Sequence, residues 1–329
     1  MSHRAFDQKL AALDALRYAT EADSHTVREH LRKALRDRNN YVVARAASVC
    51  ADLHLDELIP DLLTAYERFF VEASKSDPRC LAKNAIASTL RNLAYHVADP
   101  YARGIRHVQF EPTWGGRADS GASLRGTCAL ALSECPLNDL EILTYLADAL
   151  ADHERTVRVD AARAIEQLNR TEGALLLRLK LLIGDPDPTV MGQCFDSMLS
   201  LAPESGVSFV SRFLKSPHPD VQLEAASALA QCRDPHAVTI LREFWQDPLL
   251  PIDLRQALLV NLGASPLREA ADMLLEVVSR EPVPLASTAI KALATCRYRA
   301  EIRQNLESRL TERDSGGLQS LFAQTFGPA

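Results

Sequence analysis

One arrangement of apolar positions recurs along the chain. An apolar residue at position i is followed by small or apolar residues at i+4, i+5, i+8 and i+11, which together form one face of an α-helix. The clearest copy is Val157, Ala161, Ala162, Ile165 and Leu168. The copies begin at Val42, Ala82, Leu124, Val157, Val190, Val221, Ile252 and Leu285, at intervals of 40, 42, 33, 33, 31, 31 and 33 residues. The copy at Ile252 is the weakest, because Gln256 and Gly263 interrupt it. Between copies lies a second amphipathic segment, such as residues 140–150 or 207–214, so each period reads as helix A, turn, helix B. An Asp stands five residues before several copies (Asp37, Asp77, Asp152, Asp185 and Asp247) and is expected to cap helix B. Pro78, Pro186 and Pro248 follow three of them and mark turns. The small pair at i+4 and i+5 lets helices of adjacent periods approach closely.

One helical pair cannot bury its apolar face alone, whereas a stack of pairs can. The pattern therefore predicts an all-α fold, a right-handed α-solenoid of about eight helical hairpins running as a single domain over residues 1–312. The tail, residues 313–329, carries Leu318, Leu321, Phe322 and Phe326 and is expected to cover the last hairpin. Two long intervals fall between residues 42 and 124. The first is filled by a longer helix A at about 56–74. The second holds a short helix A at 101–108 and then a loop insertion at about 109–121, with Trp114, Gly115, Gly116, Arg117 and Asp119.

Two stretches resemble the HEAT-repeat family, specifically the short bacterial type named after phycobilisome lyases. They are residues 152–165, Asp-His-Glu-Arg-Thr-Val-Arg-Val-Asp-Ala-Ala-Arg-Ala-Ile, and residues 216–229, Ser-Pro-His-Pro-Asp-Val-Gln-Leu-Glu-Ala-Ala-Ser-Ala-Leu. The resemblance spans roughly residues 24–312 and concerns fold, since the motif encodes packing. It brings enzymes into view as well. Deoxyhypusine hydroxylase binds iron through repeated His-Glu pairs, but this sequence has one such pair, His153-Glu154, in a turn. The lyases handle a bilin, which nothing beyond the shared repeat supports here.

Composition narrows the function classes. The formal net charge is −6 across 329 residues, against the basic balance usual in nucleic-acid binders. The N-terminus lacks the apolar core of a secretory signal, and residues 173–184 are broken by Arg178 and Lys180, so a cytoplasmic protein without a membrane span is expected. Six of the seven cysteines occupy repeat positions held elsewhere by Ala, Leu or Ile and are expected in the core; Cys80 is expected to be accessible. No phosphate-binding loop, nucleophile elbow or zinc motif is present, so no catalytic residue, metal or cofactor is assigned.

The expected function is a non-enzymatic scaffold that binds another protein or peptide along a concave face and through the Trp114 loop. Loops interrupting a regular scaffold concentrate function, and a Trp beside glycines and an Arg suits an interface anchor. From Arg103 to Arg125 four arginines face two acids. The candidate site is Arg103, His107, Phe110, Trp114, Arg117, Asp119, Arg125 and Arg158, with the last two arginines lining the groove. The competing reading folds Trp114 back as a plug and leaves Arg117 solvated. A second candidate, for nucleic acid or phosphate groups, is the basic stripe Arg28, Arg32, Arg36 with Arg45, whose alternative is a solvated face with local pairing such as Arg32 to Glu29. A third is a small-molecule or lyase-like binder with an apolar pocket near Trp114.

Overall fold

The computed structural model describes residues 3–18, 24–313 and 315–327. They form two compact units, residues 1–170 and 171–329. Unit 1 contains α1 (His3–Ala15), α2 (Ser24–Leu35), α3 (Asn40–Asp52), α4 (Ile59–Arg68), α5 (Ala73–Ser76) and α6 (Leu81–Asn92). It continues with α7 (Asp99–Gly104), β1 (Phe110–Thr113), β2 (Gly116–Asp119), α8 (Ala122–Leu132), α9 (Asp139–Leu150) and α10 (Arg155–Leu168). Unit 2 contains α11 (Gly173–Ile183), α12 (Pro188–Leu201), α13 (Pro203–Val210), α14 (Pro219–Gln231) and α15 (Pro235–Trp245). Then follow α16 (Ile252–Gly263), α17 (Arg268–Arg280), α18 (Val283–Thr295), α19 (Arg299–Arg313) and α20 (Gly316–Phe326).

Each unit holds a row of helices built by the repeated pattern. In unit 1, α1, α3, α6, α8 and α10 pack in succession; in unit 2, α12, α14, α16, α18 and α20 do so. The intervening helices form a second row, with α2 on α4 in unit 1 and α15, α17 and α19 in series in unit 2. The small residues sit at the closest approaches: Ala46, Ala47, Ala161, Ala162, Ala225, Ala226 and Ala289 are all fully buried. The all-α helical-repeat fold is therefore present in both units. The tail forms α20, which packs on α18 and α19 with Leu318, Phe322 and Phe326 buried; residues 314, 328 and 329 lie outside the described residues.

The weak copy at Ile252 is misregistered. Ile252 is 52% exposed, while Leu254, Leu258, Leu259, Leu262 and Ser265 are all buried. Those five positions reproduce the repeat spacing with Leu254 as first residue, and Gln256 and Gly263 then fall outside the apolar set. The recurring Asp residues divide: Asp77 caps α6 as expected, accepting the N–H groups of Ala82 and Lys83 at 2.8 and 3.0 Å, whereas three others act one step earlier than a cap. Asp37, Asp152 and Asp185 each accept the backbone N–H two residues on, at 2.8–2.9 Å. That residue is itself the N-cap: Asn39, Glu154 and Asp187. Such Asx turns aim the chain into the helix. The long helix expected at 56–74 is interrupted between α4 and α5, where Glu72 takes φ +46°.

One inter-repeat contact occurs in both units. An ideal Cβ on Gly126 of α8 would stand 2.2 Å from Asp160 Oδ2 of α10, and one on Gly192 of α12 would stand 2.2 Å from Glu224 Oε2 of α14. A missing side chain at i+2 of one copy thus seats a carboxylate at i+3 of the next. Burial raises the affinity of both carboxyls for a proton; for Glu224 the neighbouring Asp196, Asp187 and Asp220 add to it.

Two predictions follow from this packing. Leu254→Ala should cost about 2–5 kcal/mol, while Ile252→Ala should stay within about 0.5 kcal/mol, in urea unfolding followed by circular dichroism. Glu224→Gln should raise the melting temperature at pH 7. A carboxyl whose folded affinity for a proton is raised loses stability as pH rises through its titration, so the gain should vanish below about pH 4.

Candidate functional site

The segment expected to be a loop is a β-hairpin. Phe110, Glu111, Pro112 and Thr113 pair with Asp119, Ala118, Arg117 and Gly116. Trp114 and Gly115 make the two-residue turn, and Gly115 supplies the φ of +91°. Pro112 obscures the strand in the sequence. The Ser120 N–H donates to the Gln109 carbonyl at 2.9 Å. By the alternation of antiparallel ladders, the Pro112 nitrogen then points outward, where no ladder bond is lost. Paired positions share a face, so Phe110, Pro112, Arg117 and Asp119 lie on one side.

A buried guanidinium holds the hairpin's root. Arg125, on α8, is 2% exposed. Its Nη1 donates to Asp119 Oδ2 at 2.7 Å and to the His107 carbonyl at 3.0 Å. Its Nε and Nη2 meet both oxygens of Asp152 at 2.7 and 2.9 Å. Asp119 Oδ1 in turn accepts the N–H groups of Gln109 and Gly121, each at 2.9 Å. One cation therefore joins the segment leading into β1, the end of β2 and the turn that begins α10. Burial pushes the Asp119 carboxyl up, but the two backbone N–H groups and Arg125 outweigh it and hold it below the ordinary carboxylate range.

A second polar chain ties the hairpin to α6. Gln109 Nε2 donates to the Asp77 carbonyl at 2.8 Å. Asp77 Oδ2 accepts from Lys83 Nζ at 3.0 Å, both side chains being fully buried, and Asp77 Oδ1 accepts from Asn40 Nδ2 at 2.9 Å. Glu111 accepts from the Arg79 N–H at 2.7 Å and from Ser120 Oγ at 2.8 Å. Burial raises the Glu111 carboxyl, and the hydrogen bonds from Gln109, Ser120 and the Arg79 N–H bring it below its usual value.

The expected site residues divide into two groups. Trp114 stands at the tip, 105% exposed. Phe110 is stacked on His153 with centroids 6.0 Å apart, and the Arg117 guanidinium lies 5.7 Å from the Phe110 ring centre. Arg103 pairs with Glu67 and lies 4.2 Å from the Phe70 ring. His107 is half-buried, edge-on to Phe70 at 5.0 Å, and burial lowers its proton affinity. Asp119, Arg125 and Arg158 belong to the interior. The two arginines were expected on an open face, yet Arg158 is 8% exposed and donates to the carbonyls of Asp152 and His153 at 2.9 and 3.0 Å. Carbonyls and carboxylates of the next turn lie within their reach, and they hold the hairpin from below. The basic stripe is paired: Arg28 with Glu57, Arg32 with Glu29 and Asp61, Arg36 with Asp61, and Arg45 with Asp14.

Lys83 and Gln109 carry no signal in the sequence, because each sits in an otherwise apolar or short polar context. Asp77 and Asp152 were visible only as helix caps and turn markers. Cys80, expected to be accessible, is 1% exposed. Arg79 and Cys80 both take left-handed φ, +64° and +53°, which turns the thiol inward, and burial pushes it up to about 12. Of the other six cysteines, five are buried and Cys232 is partly exposed.

Asp119, His153 and Glu154 bring one ligand atom each within 4.8 Å of one another. They do not suit a cation. Asp119 Oδ2 lies 3.3 Å from His153 Nε2, but the same oxygen is already neutralised by Arg125 at 2.7 Å. Glu154 is the N-cap of α10, the positive end of the helix dipole.

Replacing Arg125 by Met leaves the buried Asp119 and the partly buried Asp152 without their cation and should cost about 3–5 kcal/mol. Hydrogen exchange should show the Gln109 and Gly121 amides losing protection first, and Arg125→Lys, without the two-pronged geometry, should restore only part of it. In the wild type, protection conferred by an Asp with depressed proton affinity is present above the ordinary carboxylate range and is lost as pH falls further through the folded titration, so these two amides should open below about pH 4.

Residues 175–259 match the family model described as HEAT repeats. No curated protein matches the chain. Among solved structures, the complex of CpcE and CpcF of phycocyanin lyase from Nostoc sp. PCC7120 is 18% identical, covers 74% of this chain and 89% of its own, and gives a TM-score of 0.36. Human deoxyhypusine hydroxylase in complex with glycerol is 18% identical, covers 77% and 88%, and gives 0.30. A Kap121p mutant is 14% identical and gives 0.46, covering 96% of this chain and 42% of its own. No helix among the described residues is long and apolar enough to cross a membrane. The chain carries HEAT repeats, matched by the family model over residues 175–259.

Proposed function

We propose that this chain is a protein-binding scaffold whose contact element is the hairpin β1–β2, and that its partner is a protein presenting an apolar recess within an acidic surface. The observation that carries the reading is Trp114, fully exposed at the tip of a hairpin whose root is fixed by a buried ion cluster. A Trp held out on a rigid support loses little conformational freedom on binding, and Trp and Arg are the residues most often found at interface hot spots. Phe110 and Val108 add exposed apolar surface at the start of β1 and just before it.

The charge around the hairpin supports an acidic partner. Arg79, Arg106 and Arg117 are exposed, and among the described residues none of their guanidinium groups meets a carboxylate. Arg106 rests on the Tyr145 ring and Arg117 beside Phe110, which leaves their charge facing solvent. A protein partner is favoured over nucleic acid because the basic stripe on α2 is neutralised by Glu29, Glu57 and Asp61, and because the chain as a whole is acidic.

Affinity capture from the lysate of the native host tests the reading, with wild type compared against Trp114→Ala and Arg117→Glu. A protein held by wild type should be lost at least about tenfold in both variants, with unchanged melting temperatures and no effect of nuclease. Equal capture by Trp114→Ala would remove the hairpin from the interface; capture abolished by nuclease would replace protein with nucleic acid.

A further inference from the structure

The first helices of unit 1 leave a groove that the repeat fills elsewhere. α1 packs on α3 with its side chains in the row formed by α3, α6, α8 and α10. It occupies the place of a helix B in that row. Asp14 and Arg17 of this segment fix it to α3 through Arg45 and Asp52. α2 also packs on α3, and α1 and α2 each contact α3 more closely than they contact one another. Between α1 and α2 lies a cleft of about 510 Å³.

The lining of this cleft specifies what fits. Leu13 and Ala34, each 5% exposed, lie at its base, and Ala12 and Leu16 continue the apolar wall along one face of the α1 segment. Lys9, His30, Lys33 and Arg36 stand around it, with Asp37 the one acid, and Asp37 is paired with Lys9. Among the described residues Lys33 has no carboxylate partner.

The neighbouring pair of helices shows how this row matches charge. On one flank of α2, Arg28, Arg32 and Arg36 meet Glu57 and Asp61 from the α4 side. The opposite flank of α2 presents His30 and Lys33 to the cleft. We propose that the cleft between α1 and α2 is a docking site for an amphipathic helix of a partner protein, apolar on one face and bearing glutamates or aspartates along its edge. Such a helix lays its apolar face on Ala12, Leu13, Leu16 and Ala34, as helix-in-groove recognition requires, and sets an acid against Lys33. The site is separate from the hairpin and does not depend on its role.

The test is fluorescence anisotropy of two labelled synthetic helices with the same leucine face, one carrying glutamates on its flanks and the other lysines. The glutamate helix should bind wild type, and the lysine helix should not. Lys33→Glu, at an exposed position, should weaken the glutamate helix about tenfold and admit the lysine helix. Ala12→Trp, also exposed, should abolish binding of the glutamate helix by filling the cleft, and Trp114→Ala should bind as wild type does. Failure of the glutamate helix to bind, equal binding of both helices, or binding unchanged in both Lys33→Glu and Ala12→Trp would overturn the proposal. Loss of binding in Trp114→Ala alone would assign the peptide to the hairpin instead.

Discussion

Close approach of helices at small side chains is the constraint on which the rest of the structure depends. A single hairpin of this length exposes as much apolar surface as it hides, and only a neighbour laid against it removes that surface from water. The paired small residues at i+4 and i+5 set the spacing, and the larger residues at i and i+8 fill what remains. The same logic explains why Gly126 and Gly192 occur where they do. A side chain there would stand in the place of a carboxylate from the next copy. Packing of this kind is repeated with little variation, so departures from it stand out.

The largest departure is the hairpin β1–β2. Two strands of four residues have no core of their own and are marginal in isolation. Here the order comes from beneath. Arg125 collects Asp119, Asp152 and the His107 carbonyl, and Gln109 reaches the Asp77 carbonyl beside the buried Asp77–Lys83 pair. Buried ion pairs contribute little net stability against apolar replacements, but they are unforgiving of geometry, since each unmet charge is costly. That makes them suited to fixing the direction of a projecting element. The exposed Trp114 and the uncompensated arginines around it then present a surface of defined shape, in contrast to the neutralised stripe on α2.

The N-terminal cleft follows from the same packing rule. In unit 2, α20 lies against α18 and α19 and buries its own Leu318, Phe322 and Phe326 there. In unit 1, the cleft between α1 and α2 sets an apolar wall beside Lys33, which meets no carboxylate among the described residues. The charge matching between α2 and α4 shows the complement that such a wall takes within the fold itself.

The sequence by itself determined the helices and most of their inward faces, because the pattern of small and large apolar residues is a local property repeated eight times and each copy reinforces the others. It determined the place of the insertion for the same reason, as a break in that period. Where the pattern was weak it misled: the copy at Ile252 is read two residues early, although that register holds no leucine, and burial shows that Leu254, Leu258, Leu259 and Leu262 form the inward face. The ends of the chain and the insertion were decided by tertiary structure. Phe-Glu-Pro-Thr has too short an alternation to announce a strand, and its pairing depends on a turn and a root built from residues up to several tens of positions apart. Arg125 and Arg158 look like surface cations in sequence, because nothing local reveals that Asp119, Asp152 and the His107, Asp152 and His153 carbonyls will converge on them. Long-range charge pairing is set by which helices become neighbours, and that is the one thing a repeating local pattern does not encode.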